Sequence, residues 1–484
     1  MKKPIRILFA TGECVPFLKT GGLGDVAGSL PAALNAIGCD CRVIMPKYSL
    51  IPQQYRDAME HLGSFDVQLS WRTQYCGLER LVHGSVTYYF LDNEYYFKRN
   101  NAYGEFDDAE RMAFFSKAVV EAMRHLPEYF PDVLHCNDWH TALCPVYLRE
   151  QYQHLEEYRP VRCVLTIHNL KYQGVFAESV LSDVLGLDSY PNAVDQLRFG
   201  YGAVNFMQAG LRYSDRLSVV SPTYAEEVCT AYYGEGMDHI FCERRSILYG
   251  ILNGIDPAQF DPTTDLGLEQ NFSAEKPEGK IACKLALQKE LGLEVDAKIP
   301  MLVLISRLVE QKGLDLLTYI LEEMLHEDLQ LVICGIGDQR YEDAFRYWAS
   351  KLPKKLSANI IFSEPFSRKL YAAGDMLLMP SQFEPCGLSQ MICMRYGTLP
   401  VVRETGGLRD SVKPYNEYTG EGNGFSFANY NAHELLHCIQ YAAKIYRENP
   451  EAWAHLQQNA FATDFSWTAS ARQYLDMYQG MLDA

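Results

Sequence analysis

The glycine-rich segment near the amino terminus reads Lys19-Thr-Gly-Gly-Leu-Gly-Asp25-Val-Ala-Gly28-Ser-Leu-Pro31. The apolar run 5–10 before it is typical of a buried strand, and apolar residues recur at helical spacing over 23–37 after it. A strand, a glycine loop and a helix in this order bring backbone N–H groups and a helix N-terminus up to an anion. Lys19 adds positive charge there, while Asp25 favours the helix dipole and can accept a sugar hydroxyl. The spacing matches neither Gly-x-Gly-x-x-Gly nor a Walker loop, so a tight turn with a solvated lysine is the alternative.

The composition indicates a folded protein of more than one domain. At 484 residues the chain is too long for one hydrophobic core, and two or three domains are expected. Hydrophobic residues make up 48% of the chain and charged residues 22%, which excludes wholesale disorder. The net charge of −17 argues against nucleic acids and anionic membranes as partners, so a phosphate-bearing ligand needs positive charge concentrated locally.

The terminus, the apolar runs and the cysteines together predict a cytoplasmic protein. The first ten residues resemble a secretory signal, but their apolar part is short and Arg6 interrupts it. No apolar run approaches the roughly 18 to 20 residues of a membrane span. The 14 cysteines include no Cys-x-x-Cys pair, and several lie in apolar runs, which favours reduced buried thiols over disulfides or a zinc site.

Short apolar runs alternate with helical stretches along the first half of the chain. This alternation predicts a parallel, doubly wound sheet covered on both faces. The predicted strands are 5–10, 41–45, 65–69, 86–91, 133–136, 163–167 and 216–220, and the helices include 109–125, 141–151 and 202–213. The tract 65–91 alternates more and is less helical, so we expect a hairpin or an antiparallel edge there.

A second set of strands and helices follows a turn-like connector, Leu252-Asn-Gly-Ile-Asp-Pro257. Its predicted strands are 300–305, 329–334, 359–362, 376–379 and 399–402, and its helices are 313–325, 341–351, 388–396 and 433–446. The fold class is therefore α/β, with two Rossmann-like, doubly wound domains at 1–250 and 251–464. The remaining segment, 465–484, reads as a helix that can cross back to the first domain.

Polar residues follow three predicted strands of the first half. They are Asn137-Asp-Trp-His140, His168-Asn169 and Ser221-Pro-Thr223. Ligands of open parallel sheets bind beyond the carboxyl ends of the strands, so three such ends point to a site. A single strand-end histidine is more often a loop residue that is hydrogen-bonded locally.

Cationic residues follow the first strand of the second half. Arg307 and Lys312 lie in Ser306-Arg-Leu-Val-Glu-Gln-Lys-Gly313 and can clamp a diphosphate, the arginine as a planar fork and the lysine as a point charge. A salt-bridged loop without a ligand is the alternative. The turn Cys334-Gly-Ile-Gly-Asp338 is only weakly specific.

The segment Phe383-Glu-Pro-Cys-Gly-Leu-Ser-Gln390 is the strongest site signal in the second half. The N–H groups of Gly387, Leu388 and Ser389 open a helix and can face an anion. Glu384 is poorly suited to bind phosphate and better suited to accept sugar hydroxyls. The loop Thr405-Gly-Gly-Leu-Arg-Asp410 follows the next strand at the same edge. A plain capped helix is the alternative.

In these motifs the chain resembles the bacterial glycogen synthases and plant starch synthases over essentially its whole length. The matching segments are Lys19-Thr-Gly-Gly-Leu-Gly-Asp25, Asn137-Asp-Trp-His140, Thr166-Ile-His-Asn169, Leu252-Asn-Gly-Ile-Asp256, Ser306-Arg-Leu with Gln311-Lys-Gly313, Glu384-Pro-Cys-Gly-Leu388 and Thr405-Gly-Gly-Leu408. The resemblance implies a GT-B fold whose two domains face an interdomain cleft. It also implies transfer of glucose, usually from ADP-glucose, to the non-reducing 4-OH of an α-1,4-glucan with retention of configuration, without a metal or another cofactor.

The resemblance also implies roles for individual residues. Arg307 and Lys312 hold the diphosphate, and Lys19 closes over it with the Gly21–Gly22 loop. Glu384 binds the glucosyl hydroxyls. The resemblance places His168 and Asn253 near the glucose 6-OH, with the His168 carbonyl facing the anomeric carbon. It also implies that Asp138 and Asp25 line the cleft and that Phe362 stacks on the base. Further implied residues of the substrate site are Cys386, Gly387, Leu388 and Ser389.

The sequence departs from related enzymes at two positions. Many retaining GT-B enzymes carry a second glutamate eight residues after the first, where this chain has Ile392, so the ribose contacts stay unassigned. Phe362 stands where relatives often have tyrosine. Three alternatives stay open: a sucrose synthase-like enzyme, a phosphorylase requiring a pyridoxal lysine, and a non-catalytic glucan-binding protein.

Overall fold

The computed structural model describes residues 3–483 and divides the chain into two compact units. The first comprises Met1–Gly254 with Trp467–Ala484, and the second comprises Ile255–Ser466. Among the described residues no helix is both long enough and apolar enough to cross a membrane.

The first unit is built on a nine-stranded sheet in the order β12-β11-β7-β6-β1-β2-β5-β4-β3. The strands of this unit are β1 (Arg6–Ala10), β2 (Asp40–Pro46), β3 (Glu60–Leu69), β4 (Arg72–His83), β5 (Val86–Asp92), β6 (Val133–Asn137), β7 (Arg162–Ile167), β8 (Val175–Ala177), β9 (Arg198–Phe199), β10 (Ala203–Asn205), β11 (Arg216–Val219) and β12 (Leu248–Gly250). Its first nine helices are α1 (Gly22–Ala36), α2 (Gln53–Asp57), α3 (Glu94–Phe97), α4 (Asp108–Ala122), α5 (Leu143–Tyr147), α6 (Pro191–Leu197), α7 (Phe206–Tyr213), α8 (Pro222–Glu227) and α9 (Asp238–Glu243).

The large sheet is parallel except at one edge. β4 pairs antiparallel with both β3 and β5, which confirms the antiparallel edge predicted over residues 65–91. The strand order reverses between β1 and β6, which are paired neighbours. Loops that follow these two strands therefore emerge at the topological switch point, where doubly wound sheets bind ligands.

The second unit is a six-stranded parallel sheet in the order β15-β14-β13-β16-β17-β18. Its strands are β13 (Met301–Ile305), β14 (Gln330–Cys334), β15 (Leu356–Asn359), β16 (Met376–Met379), β17 (Leu399–Arg403) and β18 (Phe425–Phe427), and its helices are α10 (Glu278–Glu290), α11 (Leu314–His326), α12 (Gln339–Lys351), α13 (Glu364–Ala373), α14 (Ser389–Arg395), α15 (Gly406–Ser411), α16 (Ala432–Glu448) and α17 (Pro450–Ala462). This is the 3-2-1-4-5-6 order of a Rossmann sheet, with its switch point between β13 and β16.

The last helix, α18 (Trp467–Leu482), packs in the first unit against α1. Tyr474 and Tyr478 are buried on this helix, and the Tyr478 hydroxyl lies 2.7 Å from Nδ1 of the buried His135. Ser470 donates a hydrogen bond to the Leu252 carbonyl at 2.5 Å. The end of the chain is thus integrated into the core of the unit in which the chain begins.

Several predicted elements are wrong in extent, and one helix and one strand show the reason. The helix predicted over 202–213 begins only at Phe206, because Ala203–Asn205 pairs in a small antiparallel sheet and the Asn205 side chain caps the helix by accepting from the Gln208 N–H. The strand predicted over 359–362 instead covers Leu356–Asn359, where Leu356 is buried opposite Leu331. Ile361 and Phe362 are exposed, so their apolar character reflects no core position.

Candidate functional site

The glycine-rich loop after β1 folds around an acidic side chain, Glu13. Oε2 of Glu13 accepts hydrogen bonds from the Thr20 N–H, from the Thr20 hydroxyl at 2.5 Å and from the Gly21 N–H at 3.1 Å. Oε1 accepts the Gly24 N–H at 3.2 Å. The N–H groups that we expected to face an anion therefore already face a carboxylate of this chain. Glu13 is not among the residues predicted from the sequence, although an acid between a strand and a glycine loop is a signal that could have found it.

Lys19 and Asp25 form an ion pair on the same loop. Lys19 Nζ lies 2.7 Å from Asp25 Oδ1, and the lysine side chain is 47% exposed. A Cβ added at Gly22 would meet no atom within 4 Å, so the backbone beside this pair borders open space. The pair places a cation and a carboxylate at the first unit's switch point.

Asp138 follows β6 and is buried against the turn after β7. Its Oδ1 accepts the His168 N–H at 2.7 Å, and its own N–H donates to the Thr166 carbonyl at 2.9 Å. Burial raises the pKa of Asp138 to about 7, against the lowering effect of the His168 and Asn169 N–H groups. The negative charge of Glu13 raises that pKa further. Asp138 also has a φ of 55°, a conformation that non-glycine residues rarely adopt and that is enriched at functional sites.

His168 is held as a neutral imidazole of one tautomer. Its Nε2 lies 2.9 Å from Asn137 Oδ1, while the amide nitrogen of Asn137 donates to the Ala10 carbonyl at 3.0 Å. Because Oδ1 can only accept, Nε2 of His168 carries the proton. Burial lowers the pKa of His168 to about 3, so the ring is uncharged near neutral pH.

Among the residues of the predicted motifs in the first unit, two further polar side chains are buried with an atom that has no hydrogen-bond partner among residues 3–483. They are His140, at Nδ1, and Asn253, at Oδ1. The His140 ring stacks on Tyr103, with ring centroids 4.2 Å apart, and burial lowers the pKa of His140 to about 3. Buried polar atoms are rarely left unpaired, so each is a candidate to meet a ligand.

In the second unit the loops after β13 and β16 bring Lys312 and Glu384 together. Lys312 Nζ lies 2.6 Å from Glu384 Oε2, which also accepts the Ser381 hydroxyl at 3.1 Å. Gly313 makes this approach possible, because its φ is 69° and a Cβ there would overlap the Pro380 carbonyl. Both charged residues are among those predicted from the sequence, Lys312 for the diphosphate and Glu384 for the sugar, but their direct contact is not.

Arg307 and Phe362 lie on other parts of the same sheet edge. Arg307 is exposed in the loop that also carries Lys312. Phe362 is largely exposed after β15, two strands from β13. Both side chains are accessible to a ligand at the end of this sheet.

The turn that precedes α14 is locked by Gln390. Its amide donates to the carbonyls of Cys386 and Gly387 and to the Ser411 hydroxyl, each at 3.0 Å. Gly387 has a φ of 71°, and a Cβ there would press on the Gln390 amide. Cys386 is buried, while the next three residues, through Leu388 and Ser389, are only half-buried. The turn is rigid and its outer side is accessible.

The loop Thr405-Gly-Gly-Leu408 packs against the backbone of this turn. The Gly407 N–H donates to the Glu384 carbonyl at 3.1 Å, and a Cβ at Gly406 or Gly407 would overlap the carbonyl of Glu384 or Cys386. The paired glycines thus allow the backbone contact that fixes Glu384.

Two family models match the chain in sequence order. Residues 6–243 match the starch synthase catalytic domain, and residues 291–460 match the glycosyl transferases group 1. The glycogen synthase of Clostridium novyi is 49% identical over 478 residues, which cover 99% of each chain. The glycogen synthase of Geobacillus thermodenitrificans is 48% identical, with 99% of this chain and 98% of the relative covered.

Solved structures give the same result for the fold. The catalytic domain of starch synthase IV from Arabidopsis thaliana, bound to ADP and acarbose, matches with a TM-score of 0.90 and 31% identity over 100% of both chains. Sucrose-phosphate synthase from Thermosynechococcus elongatus matches with a TM-score of 0.61 and 16% identity over 100% of both chains, a likeness of fold alone. The predicted α/β fold of the GT-B type is confirmed.

Proposed function

The chain belongs to the glycogen synthase family of glycosyltransferases, and from that premise we propose that it transfers glucose from ADP-glucose to the non-reducing 4-OH of an α-1,4-glucan with retention of configuration. The observation that carries the proposal is the pairing of Lys312 with Glu384 at the switch point of the second unit. A cation beside a carboxylate suits a ligand that is a diphosphate at one end and a sugar at the other. The ADP bound to the matched starch synthase IV supports the choice of nucleotide.

In this proposal Lys312 and Arg307 bind the diphosphate. Lys312 supplies a point charge where negative charge grows on the leaving group, and Arg307 supplies a planar fork for phosphate oxygens. Preorganised charge of this kind is worth about 3 kcal/mol for one donor. Glu384 accepts hydroxyls of the transferred glucose through Oε1, because Oε2 already receives Lys312 and Ser381.

The first unit contributes groups that act on the sugar. The His168 carbonyl faces the anomeric carbon, and Asp138 fixes that backbone by accepting the His168 N–H. Asn253 binds the glucose 6-OH with its unpaired amide oxygen. Lys19 adds charge to the diphosphate, and Asp25 accepts a hydroxyl.

Substrate binding is completed by backbone and ring contacts. Phe362 stacks on the base of the nucleotide. The Gly21–Gly22 loop of the first unit borders the substrate in this proposal, although the Gly21 N–H itself donates to Glu13. In the second unit the groups assigned to the substrate are those of Cys386, Gly387, Leu388 and Ser389.

Retention of configuration follows from a front-face displacement in this scheme. The sugar passes through an oxocarbenium-like state, and the leaving phosphate takes the proton of the acceptor hydroxyl on the same face. The cationic groups then supply most of the stabilisation of the transition state. Exclusion of water from the site protects the donor from hydrolysis. No second carboxylate acts as a nucleophile in this scheme.

One assay tests the proposal directly. Purified protein is incubated with glycogen and radiolabelled ADP-glucose or UDP-glucose without added metal, and label in the polymer is counted. We expect incorporation from ADP-glucose to exceed incorporation from UDP-glucose. No incorporation from either donor would contradict the proposal and leave a non-catalytic glucan-binding protein. Transfer to free fructose instead of glycogen would indicate a sucrose-forming enzyme.

A matched pair of variants tests the assigned site. We expect Glu384→Gln to lower kcat by about 10²- to 10³-fold, the loss typical of one preorganised group. Glu448→Gln changes an exposed carboxylate of the same unit and serves as the control. Near-normal turnover in Glu384→Gln would remove this residue from the mechanism.

A further inference from the structure

The loop that carries Lys19 is held by a carboxylate of its own chain. Two backbone N–H groups and a hydroxyl meet Glu13 Oε2, and a third N–H group meets Oε1. A bound phosphate makes the same contacts at a helix N-terminus. We propose that Glu13 is a positioning residue that takes the place of a bound anion in the glycine loop and fixes the loop so that Lys19 is presented to the diphosphate of the donor. The role of Lys19 in this inference rests on the proposed function.

The position of Glu13 explains why its carboxylate stays in the loop. Helix α1 begins at Gly22, and its N-cap residue, Gly21, has no side chain to satisfy the first N–H groups. Glu13 supplies that cap from outside the helix, where a negative charge is favoured by the helix dipole. Its backbone is tied by Thr11, whose hydroxyl donates to the Glu13 carbonyl at 2.7 Å and accepts the Glu13 N–H at 3.3 Å. Glu13 is also buried, so its carboxylate has no easy route to water.

The contacts of Glu13 limit which groups of this loop can bind a phosphate. The N–H groups of Thr20, Gly21 and Gly24 donate to Glu13, so these three groups do not face a phosphate, and the cation of this loop is the ammonium of Lys19. Lys19 directly precedes Thr20, and its Nζ rests 2.7 Å from Asp25 Oδ1 in the first turn of α1. Both the backbone and the head group of the lysine are therefore tied to α1. Loss of Glu13 releases the backbone end of this tether.

The experiment compares Glu13→Gln with the unchanged protein in two measurements. Gln preserves the size of the side chain but sets an NH₂ group against N–H donors. Hydrogen–deuterium exchange of the free protein reports the loop itself, and we expect exchange over residues 17–26 to accelerate by about tenfold. Calorimetry reports ADP affinity, and we expect the Kd to rise by about tenfold. Glu157→Gln, an exposed acid in the same unit, is the control and leaves both values unchanged.

A double-mutant cycle with Lys19→Ala tests whether Glu13 acts through the lysine. In the Lys19→Ala protein we expect Glu13→Gln to change ADP affinity by less than about twofold, since the group it positions is gone. If Glu13→Gln does not fold, Thr20→Val removes only the hydroxyl contact, and both effects are expected in the same direction at about threefold.

Two results overturn the inference. One is unchanged exchange over residues 17–26 in Glu13→Gln. The other is faster exchange with ADP affinity unaltered, or altered equally with and without Lys19. A protein that binds ADP in the expected pattern but transfers no glucose contradicts the proposed function and still supports the positioning role of Glu13.

Discussion

Lys312→Met tests whether the Lys312–Glu384 pair serves the reaction or the stability of the second unit. The two atoms lie 2.6 Å apart, and the side chains are 17% and 10% exposed. Removing one partner of a fully buried pair costs about 3 to 5 kcal/mol, and an exposed pair is worth about 0 to 1. Because this pair lies between these limits, we expect Lys312→Met to destabilise the protein by about 2 kcal/mol, which for a unit of this size lowers Tm by about 4 to 8 °C. Loss of its charge at the leaving group should lower kcat with ADP-glucose by about 10²- to 10³-fold.

The same unit contains a matched control, the pair of Lys284 and Asp375. Its Nζ–Oδ2 distance is also 2.6 Å, but the side chains are only 3% and 8% exposed, and Lys284 donates further hydrogen bonds to the Ala297 and Ile299 carbonyls. Lys284→Met should therefore destabilise more, by about 3 to 5 kcal/mol. Below its unfolding temperature we expect kcat to stay within about threefold of the unchanged protein, since Lys284 has no assigned contact with substrate.

Differential scanning calorimetry and initial rates with glycogen as acceptor measure the two effects separately. The electrostatic assignment requires opposite rankings, with Lys312→Met worse in rate and Lys284→Met worse in Tm. If Lys312→Met keeps more than about a third of the original kcat while Tm falls, the pair is structural and the clamp assigned to it is refuted.

Three further substitutions test the local geometry. Gly313→Ala places a Cβ against the Pro380 carbonyl at a φ of 69°, and should lower the free energy of unfolding by more than the roughly 1 to 2 kcal/mol that a left-handed alanine costs. Gly292→Ala, at a φ of 70° with no atom within 4 Å, is the control and should lose only that amount in the same calorimetric measurement. Asp138→Asn should raise Tm relative to the unchanged protein, and more at pH 8 than at pH 5. Burial raises the pKa of Asp138 to about 7, so the protein loses up to about 4 kcal/mol of stability as pH rises from about 4 to 7 and this carboxyl ionises. An equal difference in Tm at both pH values would refute the buried charge. His168→Gln should reduce the loss of stability between pH 6.5 and 4.5 by up to about 3 kcal/mol, and so flatten the fall of Tm over that range. Burial lowers the pKa of His168 to about 3, so over this range protons bind the imidazole only in the unfolded chain. The same slope of Tm against pH in both proteins would contradict this.

Most of the two sheets could be predicted from local pattern. Strand β16 and helix α18 have nearly the predicted bounds. A buried apolar strand and an amphipathic helix can each be recognised from the spacing of their apolar residues. The predictions fail where spacing is ambiguous. Ile361 and Phe362 continue an apolar run, yet β15 ends at Asn359 because register with β14, a non-local pairing, sets its bounds. Asn205 ends a strand and caps a helix, and both roles depend on partners elsewhere in the chain.

The candidate site was also predicted in part from the sequence, and the rest of it depends on the tertiary structure. The sequence alone was sufficient to locate its motifs at strand ends, since glycine turns and polar residues directly after apolar runs are local signals. Which side chains meet was decided by the tertiary structure. Lys312 and Glu384 are 72 residues apart and touch only because β13 and β16 are sheet neighbours. Glu13 enters the glycine loop because the chain doubles back before α1, and no residue spacing specifies the direction of that side chain. Burial likewise exists only in the folded chain, so the pKa values of Asp138 and His168 follow from packing around them and not from their identities.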